Sequence, residues 1–229
     1  MAVCLLCGQS FTPRYSLKQL LVDRHWYLDR LCPLCFRGFQ PLDRRHACPQ
    51  CGRLSEQGQR CYDCQRWALT AELLTNRALF TYNEAMQAYF QQYKGVGDYR
   101  LRLVFAGHLQ AAFTALPRQT LIIPIPTSPS HWTQRQFDPV LGLIESVCRP
   151  DRRLASQEQL QHQAQLTRQE RLVSPQHFYC PQPCPSADQQ RPVLLVDDIY
   201  TTGRTLRHGQ AALRQAGYQG EITSLTVAR

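Results

Sequence analysis

The spacing of hydrophobic positions predicts three helices in the middle of the chain. ALFTYNEAMQAYFQQYK, which starts at Ala78, has apolar residues at 79, 82, 85/86, 89/90 and 93, a helical spacing. Two glycines interrupt this pattern, and LRLVFAGHLQAAFTAL then continues a helical spacing up to Pro117. DPVLGLIESVCR is a third predicted helix, in which Asp138 caps the start and Pro139 takes the first position.

Short apolar runs rich in β-branched residues alternate with these helices. LIIPIP (121–126) predicts a strand that ends at prolines, and PVLLVDDI and EITSLTVA predict two more strands near the end of the sequence. Between these two, TTGRTLRHGQAALRQAG predicts a turn and a helix with a terminal glycine. Alternating strands and helices indicate an α/β fold with a parallel sheet covered on both faces.

Before residue 78 the chain has few core-forming residues and four Cys-x-x-Cys pairs. The eight cysteines are Cys4, Cys7, Cys32, Cys35, Cys48, Cys51, Cys61 and Cys64. Two such pairs complete one tetrahedral shell of four thiolates, so the spacing predicts two zinc ions (Zn²⁺). Closed four-cysteine sites have no open position for a substrate, which favours structural zinc over redox, iron–sulfur or catalytic roles. We therefore predict a zinc-binding domain at 1–77 and a larger domain at 78–229.

The grouping of the cysteines is open at this point. Pairing in chain order joins the first two Cys-x-x-Cys pairs in one site and the last two in the other. Pairing the first with the third is an alternative, and His25 would replace a ligand if one cysteine stood aside. Gly52 follows Cys51 directly, which suits a turn that brings backbone N–H groups towards the sulfurs.

Composition and charge place the chain among globular proteins and leave a nucleic-acid partner open. It has 229 residues, no apolar run long enough for a membrane span and no signal-peptide pattern, so the expected location is the cytoplasm. The formal net charge is +9, and eight thiolates with two zinc ions would lower it to about +5. Only Lys18 and Lys94 are lysines; the other cations are arginines, which suit phosphate. Six of these arginines lie among the cysteine pairs and are candidates for nucleic-acid contacts or a solvated surface: Arg37, Arg44, Arg45, Arg53, Arg60 and Arg66.

The segment VLLVDDIYTTGRTL (193–206) combines a buried strand, two acids and a small hydroxylic turn. In parallel α/β sheets, ligands bind beyond the carboxyl ends of the strands, which is where Asp197 and Asp198 lie. The turn that follows contains Gly203 and leads into a helix, whose free N–H groups favour an anion. Carboxylates accept hydrogen bonds from vicinal hydroxyls but repel a phosphate, so the pattern predicts a ribose 5-phosphate ligand.

This segment closely resembles the phosphoribosyl pyrophosphate (PRPP) motif of type I phosphoribosyltransferases. The resemblance assigns Asp197 and Asp198 to the ribose hydroxyls. It assigns the 5-phosphate to the loop formed by Thr201, Thr202, Gly203, Arg204 and Thr205.

Over essentially its whole length the chain resembles the ComFC (ComF/GntX) family, which joins a zinc ribbon to a phosphoribosyltransferase-like domain. In that family PIPTSP (124–129), with Thr127 and Ser128, corresponds to the loop that contacts the pyrophosphate. Arg135 and Phe137 match an arginine-x-phenylalanine signature that usually continues with asparagine, where this chain has Asp138. Arg168, Glu170 and Arg171 match a flexible-loop signature, and Arg135, Arg168 and Arg171 are candidates for binding pyrophosphate with Mg²⁺.

The resemblance implies two functions. The first is a competence protein that binds PRPP and supports uptake of single-stranded DNA in natural transformation, with DNA and a membrane-associated DNA-import helicase (ComFA-like) as partners. The alternative is an active phosphoribosyltransferase that transfers ribose 5-phosphate from PRPP to a nucleobase in nucleotide salvage. The acceptor base stays unassigned, and Tyr200, Phe137 and Trp132 are candidates for stacking on it or for packing.

Overall fold

The computed structural model describes residues 1–13, 30–55, 58–70, 72–157 and 176–229. Its centre is a four-stranded sheet in which every pairing is parallel, as the sequence predicts. The strand order is β3-β8-β7-β4, with β3 at Asn76–Phe80, β4 at Leu121–Pro124, β7 at Val193–Ile199 and β8 at Ile222–Ala228. β7 lies in the interior of the sheet and its first five residues are buried, which explains its continuous apolar run.

Helices and short turns connect these strands. They are α3 (Glu84–Phe90), α4 (Ala106–Thr114), α5 (Pro129–Arg135), α6 (Pro139–Ile144) and α7 (Arg204–Gln215). A π-helical turn, Gln91–Val96, continues α3, and a 3-10 turn, Tyr99–Leu103, precedes α4. A two-stranded antiparallel pair, β5 (Ala155–Ser156) with β6 (Phe178–Tyr179), lies beside α7.

The helix predicted from Ala78 is wrong in its first part. Ala78 and Phe80 belong to β3, where burial alternates along the strand and both residues face the core. The helix starts only at Glu84, where the Asn83 side chain accepts a hydrogen bond from the Met86 N–H at 3.1 Å. Pairing with β8 decides the strand, because the short apolar run fits a strand and a helix equally well.

The other predicted elements are present, with shifted ends. The pattern before Pro117 is α4 preceded by the 3-10 turn. Asp138 caps α6 as predicted: its Oδ1 accepts the Leu141 N–H at 2.9 Å, and Pro139 is the first helical residue. β7 extends through both aspartates to Ile199, one residue beyond the pair.

The cysteine-rich region packs along the outer edge of β3. It contains β1 (Ala2–Val3) paired with β2 (Ser10–Phe11), and the helices α1 (Pro33–Arg37) and α2 (Tyr62–Thr70). Pro41 forms an antiparallel bridge with Phe80, flanked by the hydrogen bonds Leu42 N–H to Leu79 O at 3.0 Å and Thr81 N–H to Gln40 O at 2.9 Å. This segment therefore occupies backbone groups that an edge strand would otherwise leave unpaired.

An aromatic cluster joins the cysteine-rich region to the sheet. The Phe39 ring is buried with its centroid 5.1 Å from that of Phe105 and 6.4 Å from that of Phe80. Such edge-to-face contacts add to the hydrophobic gain from burial. The division of the chain after residue 77 stays a prediction, and β3 spans it.

No helix in the described part of the chain is long and apolar enough to cross a membrane. Five residues from the sequence analysis lie outside the described residues: Lys18, His25, Arg168, Glu170 and Arg171.

Candidate functional site

A cavity of about 260 Å³ opens at the carboxyl ends of β4 and β7. It brings together Asp197 and Asp198 from β7 with the loop that follows β7 and the loop that follows β4. The predicted residues that line it are Thr127, Ser128, Arg135, Asp197, Asp198, Thr201, Thr202, Arg204 and Thr205. This is the position that a parallel α/β sheet favours for a ligand.

The two aspartates lie in a strongly desolvating environment. Asp197 is 9% exposed, and its Oδ1 accepts the Asp198 N–H at 2.9 Å. Burial raises the pKa of Asp197 well above its usual value, and the adjacent Asp198 carboxylate raises it further. The pair is therefore costly to keep charged without a cation or a donor.

Lys94 supplies a cation to this pair, and the sequence analysis did not assign it to the site. Its Nζ forms an ion pair with an Asp198 carboxylate oxygen, and it opposes the rise in the pKa of Asp197. The π-helical turn Gln91–Val96 carries Lys94 to the cavity, and such turns often occur at functional sites. The sequence offered one signal for Lys94: it is one of only two lysines among 26 cationic residues.

The loop after Asp198 offers both hydroxyls and backbone donors. Gly203 adopts φ 77°, and a Cβ there would overlap the ring of Tyr200. Among the described residues, no hydrogen bond uses the N–H groups of Thr201, Thr202 or Gly203. Consecutive free N–H groups before a helix are a recurrent anion-binding arrangement.

Asp138 holds the loop after β4. Its Oδ2 accepts the Thr127 N–H at 2.8 Å while its Oδ1 caps α6. A carboxylate suits these two donors better than the asparagine usual at this position, which has one acceptor oxygen. The Thr127 N–H is thus engaged within the protein, although its loop is the one that the family resemblance assigns to pyrophosphate.

Arg135 is the cation that this side of the cavity contributes. Desolvation lowers the pKa of Arg135, whereas the Asp198 and Asp138 carboxylates raise it. Arg135 therefore interacts electrostatically with both carboxylates. It is half-buried at the end of α5. Since arginine remains charged at any relevant pH, Arg135 makes this end of the cavity a site for anionic groups.

Two of the three aromatic residues considered for base stacking are packing residues. The Phe137 ring lies 5.3 Å from the Tyr93 centroid and 5.1 Å from that of Tyr99. Tyr200 is buried beneath Gly203, and Trp132 is about half exposed and lies outside the cavity lining. His131, His177 and Phe178 line the cavity instead, and the sequence offered no spacing that pointed to them.

The eight cysteines form two clusters grouped in chain order. Cys4, Cys7, Cys32 and Cys35 form one cluster, and Cys48, Cys51, Cys61 and Cys64 form the other; within each cluster the four sulfurs lie within 4.8 Å of one another. The interleaved pairing is wrong, and all four cysteines of the first two pairs lie in the first cluster. His25, the alternative ligand, lies outside the described residues.

The geometry of both clusters fits a zinc ion. Tetrahedral coordination at a Zn–S distance of about 2.3 Å separates sulfurs by about 3.8 Å. The sulfurs of Cys7 and Cys32 are 3.8 Å apart, and those of Cys51 and Cys61 are 3.6 Å apart. A hydrogen bond from Cys64 lowers the pKa of Cys51 to about 4, and the same contact raises the pKa of Cys64, so without metal the thiolate is concentrated on Cys51. Each cluster can therefore hold one zinc ion as a closed structural site.

We expect two zinc ions per chain, and Cys51→Ser should leave one. Losing one thiolate opens the second shell, because a serine hydroxyl is a poor zinc ligand. Mass spectrometry under native conditions counts the ions. The matched control is Cys148→Ser, since Cys148 lies outside both clusters and should not affect the count. Two zinc ions in the Cys51→Ser protein would contradict the assignment.

We expect Asp197→Asn to raise the free energy of unfolding at pH 7. The amide keeps an oxygen for the Asp198 N–H and removes a buried charge beside another carboxylate. The folded-state pKa lies above the unfolded value of about 3.9. In the wild type, the cost of ionising Asp197 in the folded state is therefore absent below about pH 4. This cost grows as the pH rises from the unfolded pKa towards the folded pKa. Urea unfolding between about pH 3 and pH 8 measures the difference.

Asp188→Asn is the control with the opposite sign. Asp188 accepts hydrogen bonds from Arg191 and Arg153 at 2.9 Å each, and the Arg191 hydrogen bond lowers its pKa. Its contribution is present above the unfolded pKa and is lost as the pH falls through the folded value. Asp188→Asn should thus destabilise the protein at neutral pH. Equal signs for the two substitutions would refute the electrostatic account of Asp197.

Comparisons with known proteins identify relatives over nearly the whole chain, although no family model matches it. Competence protein ComFC of Streptococcus pneumoniae is 33% identical over 214 residues, which are 93% of this chain and 94% of that protein. Competence protein ComFC of Bacillus subtilis is 26% identical over 233 residues, which are 99% of this chain and 95% of that protein. With two four-cysteine clusters beside a parallel α/β sheet, the chain belongs to the ComFC family.

Proposed function

We propose that the cavity binds the ribose 5-phosphate part of PRPP and that the chain is a PRPP-binding competence protein. One observation carries the proposal: adjacent carboxylates and a loop with three free N–H groups border the same cavity. A ribose 5-phosphate complements both features: its diol matches the carboxylates, and its phosphate, about one sugar width away, matches the N–H groups.

Each half of the ligand would have its own partners in this cavity. Asp197 and Asp198 accept hydrogen bonds from the two ribose hydroxyls, and the hydroxyl protons take the role that the Lys94 ammonium has for Asp198 in the free protein. The loop from Thr201 to Thr205 donates N–H and O–H groups to the 5-phosphate. Binding therefore requires the Lys94–Asp198 pair to loosen, which frees a cation for the anionic ligand.

The pyrophosphate of PRPP would lie towards the loop after β4. Arg135 supplies positive charge there, and the Ser128 hydroxyl is a donor within the cavity lining. Mg²⁺ bound with PRPP would neutralise pyrophosphate charge, and Asp198 is the carboxylate available to it. Arg168 and Arg171 are further candidates from the sequence for the same group.

The role in competence comes from the family. Two relatives are named competence proteins, and we infer that this chain supports uptake of single-stranded DNA with an import helicase as partner. The cysteine-rich region supports a DNA contact. Tyr62 on α2 is 69% exposed, and the Arg66 guanidinium lies 5.8 Å from its ring centroid, which suits stacking with a base.

Apart from Arg66, the arginines named in this region divide into two groups. Arg45 pairs with Asp43 at 3.1 Å, and Arg53 pairs with Asp63 at 2.6 Å. Arg37, Arg44 and Arg60 are exposed and form no ion pair within the described part of the chain. The second group is the better candidate for DNA phosphates, because its members have no carboxylate partner to give up.

We expect Asp197→Asn and Asp198→Asn to weaken ribose 5-phosphate binding by about 10- to 100-fold each, and the double substitution to abolish it. A hydrogen bond to a charged group contributes about 1.5–3 kcal/mol, and each 1.4 kcal/mol is tenfold. Isothermal titration calorimetry with ribose 5-phosphate and with PRPP–Mg²⁺ measures the affinities. Asp188→Asn, outside the cavity, should bind like the wild type.

Undiminished binding by the double variant would refute the site. The same preparations also test the alternative function. Incubation with PRPP, Mg²⁺ and a panel of nucleobases should release no pyrophosphate if the protein only binds PRPP. Base-dependent release that disappears in Asp198→Asn would establish a phosphoribosyltransferase instead.

We expect the triple substitution of Arg37, Arg44 and Arg60 by alanine to weaken single-stranded DNA binding and to flatten its salt dependence. Each lost phosphate contact changes the slope of log K against log salt by about 0.7, so three contacts change it by about 2. Fluorescence anisotropy with a labelled oligonucleotide measures this slope.

The matched control removes three exposed arginines outside the cysteine-rich region that also form no ion pair among the described residues, Arg118, Arg149 and Arg152. Both triple substitutions remove three positive charges. Their effects on DNA binding should therefore differ only if the DNA binds at a localised interface. Equal effects would mean a nonspecific attraction, and ribose 5-phosphate affinity should not differ between them.

A further inference from the structure

The carbonyl of Tyr200 and the first two carbonyls of the 5-phosphate loop accept hydrogen bonds from side chains behind the loop. Arg229 Nη1 donates to the Tyr200 carbonyl at 3.2 Å and to the Thr201 carbonyl at 3.1 Å. Trp67 Nε1 donates to the Thr202 carbonyl at 3.2 Å. Neither residue lines the cavity, and nothing in the sequence motif of this loop includes either of them.

These hydrogen bonds fix the direction of the loop N–H groups. In a trans peptide the C=O and the following N–H point in opposite directions, and the described part of the chain contains no cis peptide. Carbonyls that turn back to Arg229 and Trp67 therefore turn the N–H groups of Thr201, Thr202 and Gly203 away from them. Within the ranges that the structure describes, these three N–H groups donate to no acceptor.

Arg229 is itself held in place on both sides. Its N–H donates to the Phe80 carbonyl at 3.0 Å, and its carbonyl accepts the Tyr82 N–H at 2.9 Å. Its guanidinium lies 5.0 Å from the centroid of the Tyr200 ring, the ring on which Gly203 rests. These contacts restrict the position of the Arg229 side chain.

Arg229 and Trp67 also connect the loop to the second cysteine cluster. Arg229 Nη2 lies 3.7 Å from Cys51 Sγ, so one guanidinium contacts a metal-ligand candidate and the loop together. Trp67 lies on α2, three residues after Cys64, and the Arg207 guanidinium stacks 4.7 Å from its ring. The loop backbone is therefore tied to the cluster through two independent side chains.

We propose that Arg229 and Trp67 are positioning residues for phosphate binding: they orient the N–H groups of the 5-phosphate loop and make that orientation depend on the second four-cysteine cluster. This inference rests on the proposed ribose 5-phosphate function of the cavity. It gives this cluster a role in ligand affinity beyond stabilising the N-terminal region.

Conservative substitutions test the two residues. Trp67→Phe keeps an aromatic ring beneath Arg207 and removes the indole N–H together with part of the ring area, while Arg229→Lys keeps the charge and loses the paired donors. Ribose 5-phosphate affinity should fall about three- to tenfold in Trp67→Phe and by at least as much in Arg229→Lys, which matches the usual value of one or two hydrogen bonds. Arg100→Lys, whose partner is Asp98, is the matched control and should bind like the wild type.

A readout without ligand separates positioning from simple packing. Loss of the hydrogen bond to the Thr202 carbonyl should shift the Gly203 amide resonance in ¹H–¹⁵N spectra of Trp67→Phe, with zinc content and urea midpoint unchanged. Unshifted loop amides together with wild-type affinity would overturn the proposal. If the wild-type protein binds no ribose 5-phosphate, the proposed function fails, and the ligand-free spectra still decide the positioning role.

Zinc removal tests the connection to the cluster. A chelator should reduce ribose 5-phosphate affinity by a larger factor in the wild type than in Arg229→Lys, because the variant has already lost one connection. Equal factors in the two proteins would mean that the cluster does not act through Arg229, and would overturn that part of the proposal.

Discussion

Two neighbouring carboxylates at the end of a buried strand repel each other, and much of the surrounding structure serves to hold them there. Asp197 is almost inaccessible to solvent, and Asp198 takes its counter-ion from Lys94. The strand supplies the rigidity, since β7 pairs on both sides and continues through both aspartates. A protein selected for stability alone would not retain this pair, so its presence is itself an argument for a ligand.

The cysteine-rich region and the sheet behave as one structure around this site. Phe39 packs into the aromatic cluster beside β3, and Pro41 continues the sheet by a bridge to Phe80. Trp67 from the cysteine-rich region and Arg229, which follows β8, both donate to the backbone behind the loop. Regions that are remote in sequence are therefore in direct contact around the site.

The sequence predicted the parts of the site that are local. Asp197, Asp198 and the loop after them are contiguous, and the regular spacing of the cysteines indicated two four-sulfur clusters. The positions of the sulfurs were needed to show that the Cys-x-x-Cys pairs group in chain order. Asp138 was recognisable as a cap, but its second role, accepting the Thr127 N–H, needed the fold.

The parts that were missed depend on long-range contacts. Lys94 reaches an aspartate about a hundred residues later, and Ala78 becomes a strand residue because β8 lies beside it. Tyr200 looked available to a base, yet Gly203 rests on its ring. In each case the local pattern was compatible with two structures, and packing chose between them.

The bridge between Pro41 and Phe80 has a consequence for the cell that makes this protein. A bare edge strand is a template for pairing with another chain, and β3 has this segment as its cover. The cover belongs to the region whose own core is small and whose two four-cysteine clusters can each hold a zinc ion. Oxidation of these thiols would remove the ligands of both sites, and we expect β3 to be the sheet edge that a disordered cysteine-rich region exposes first.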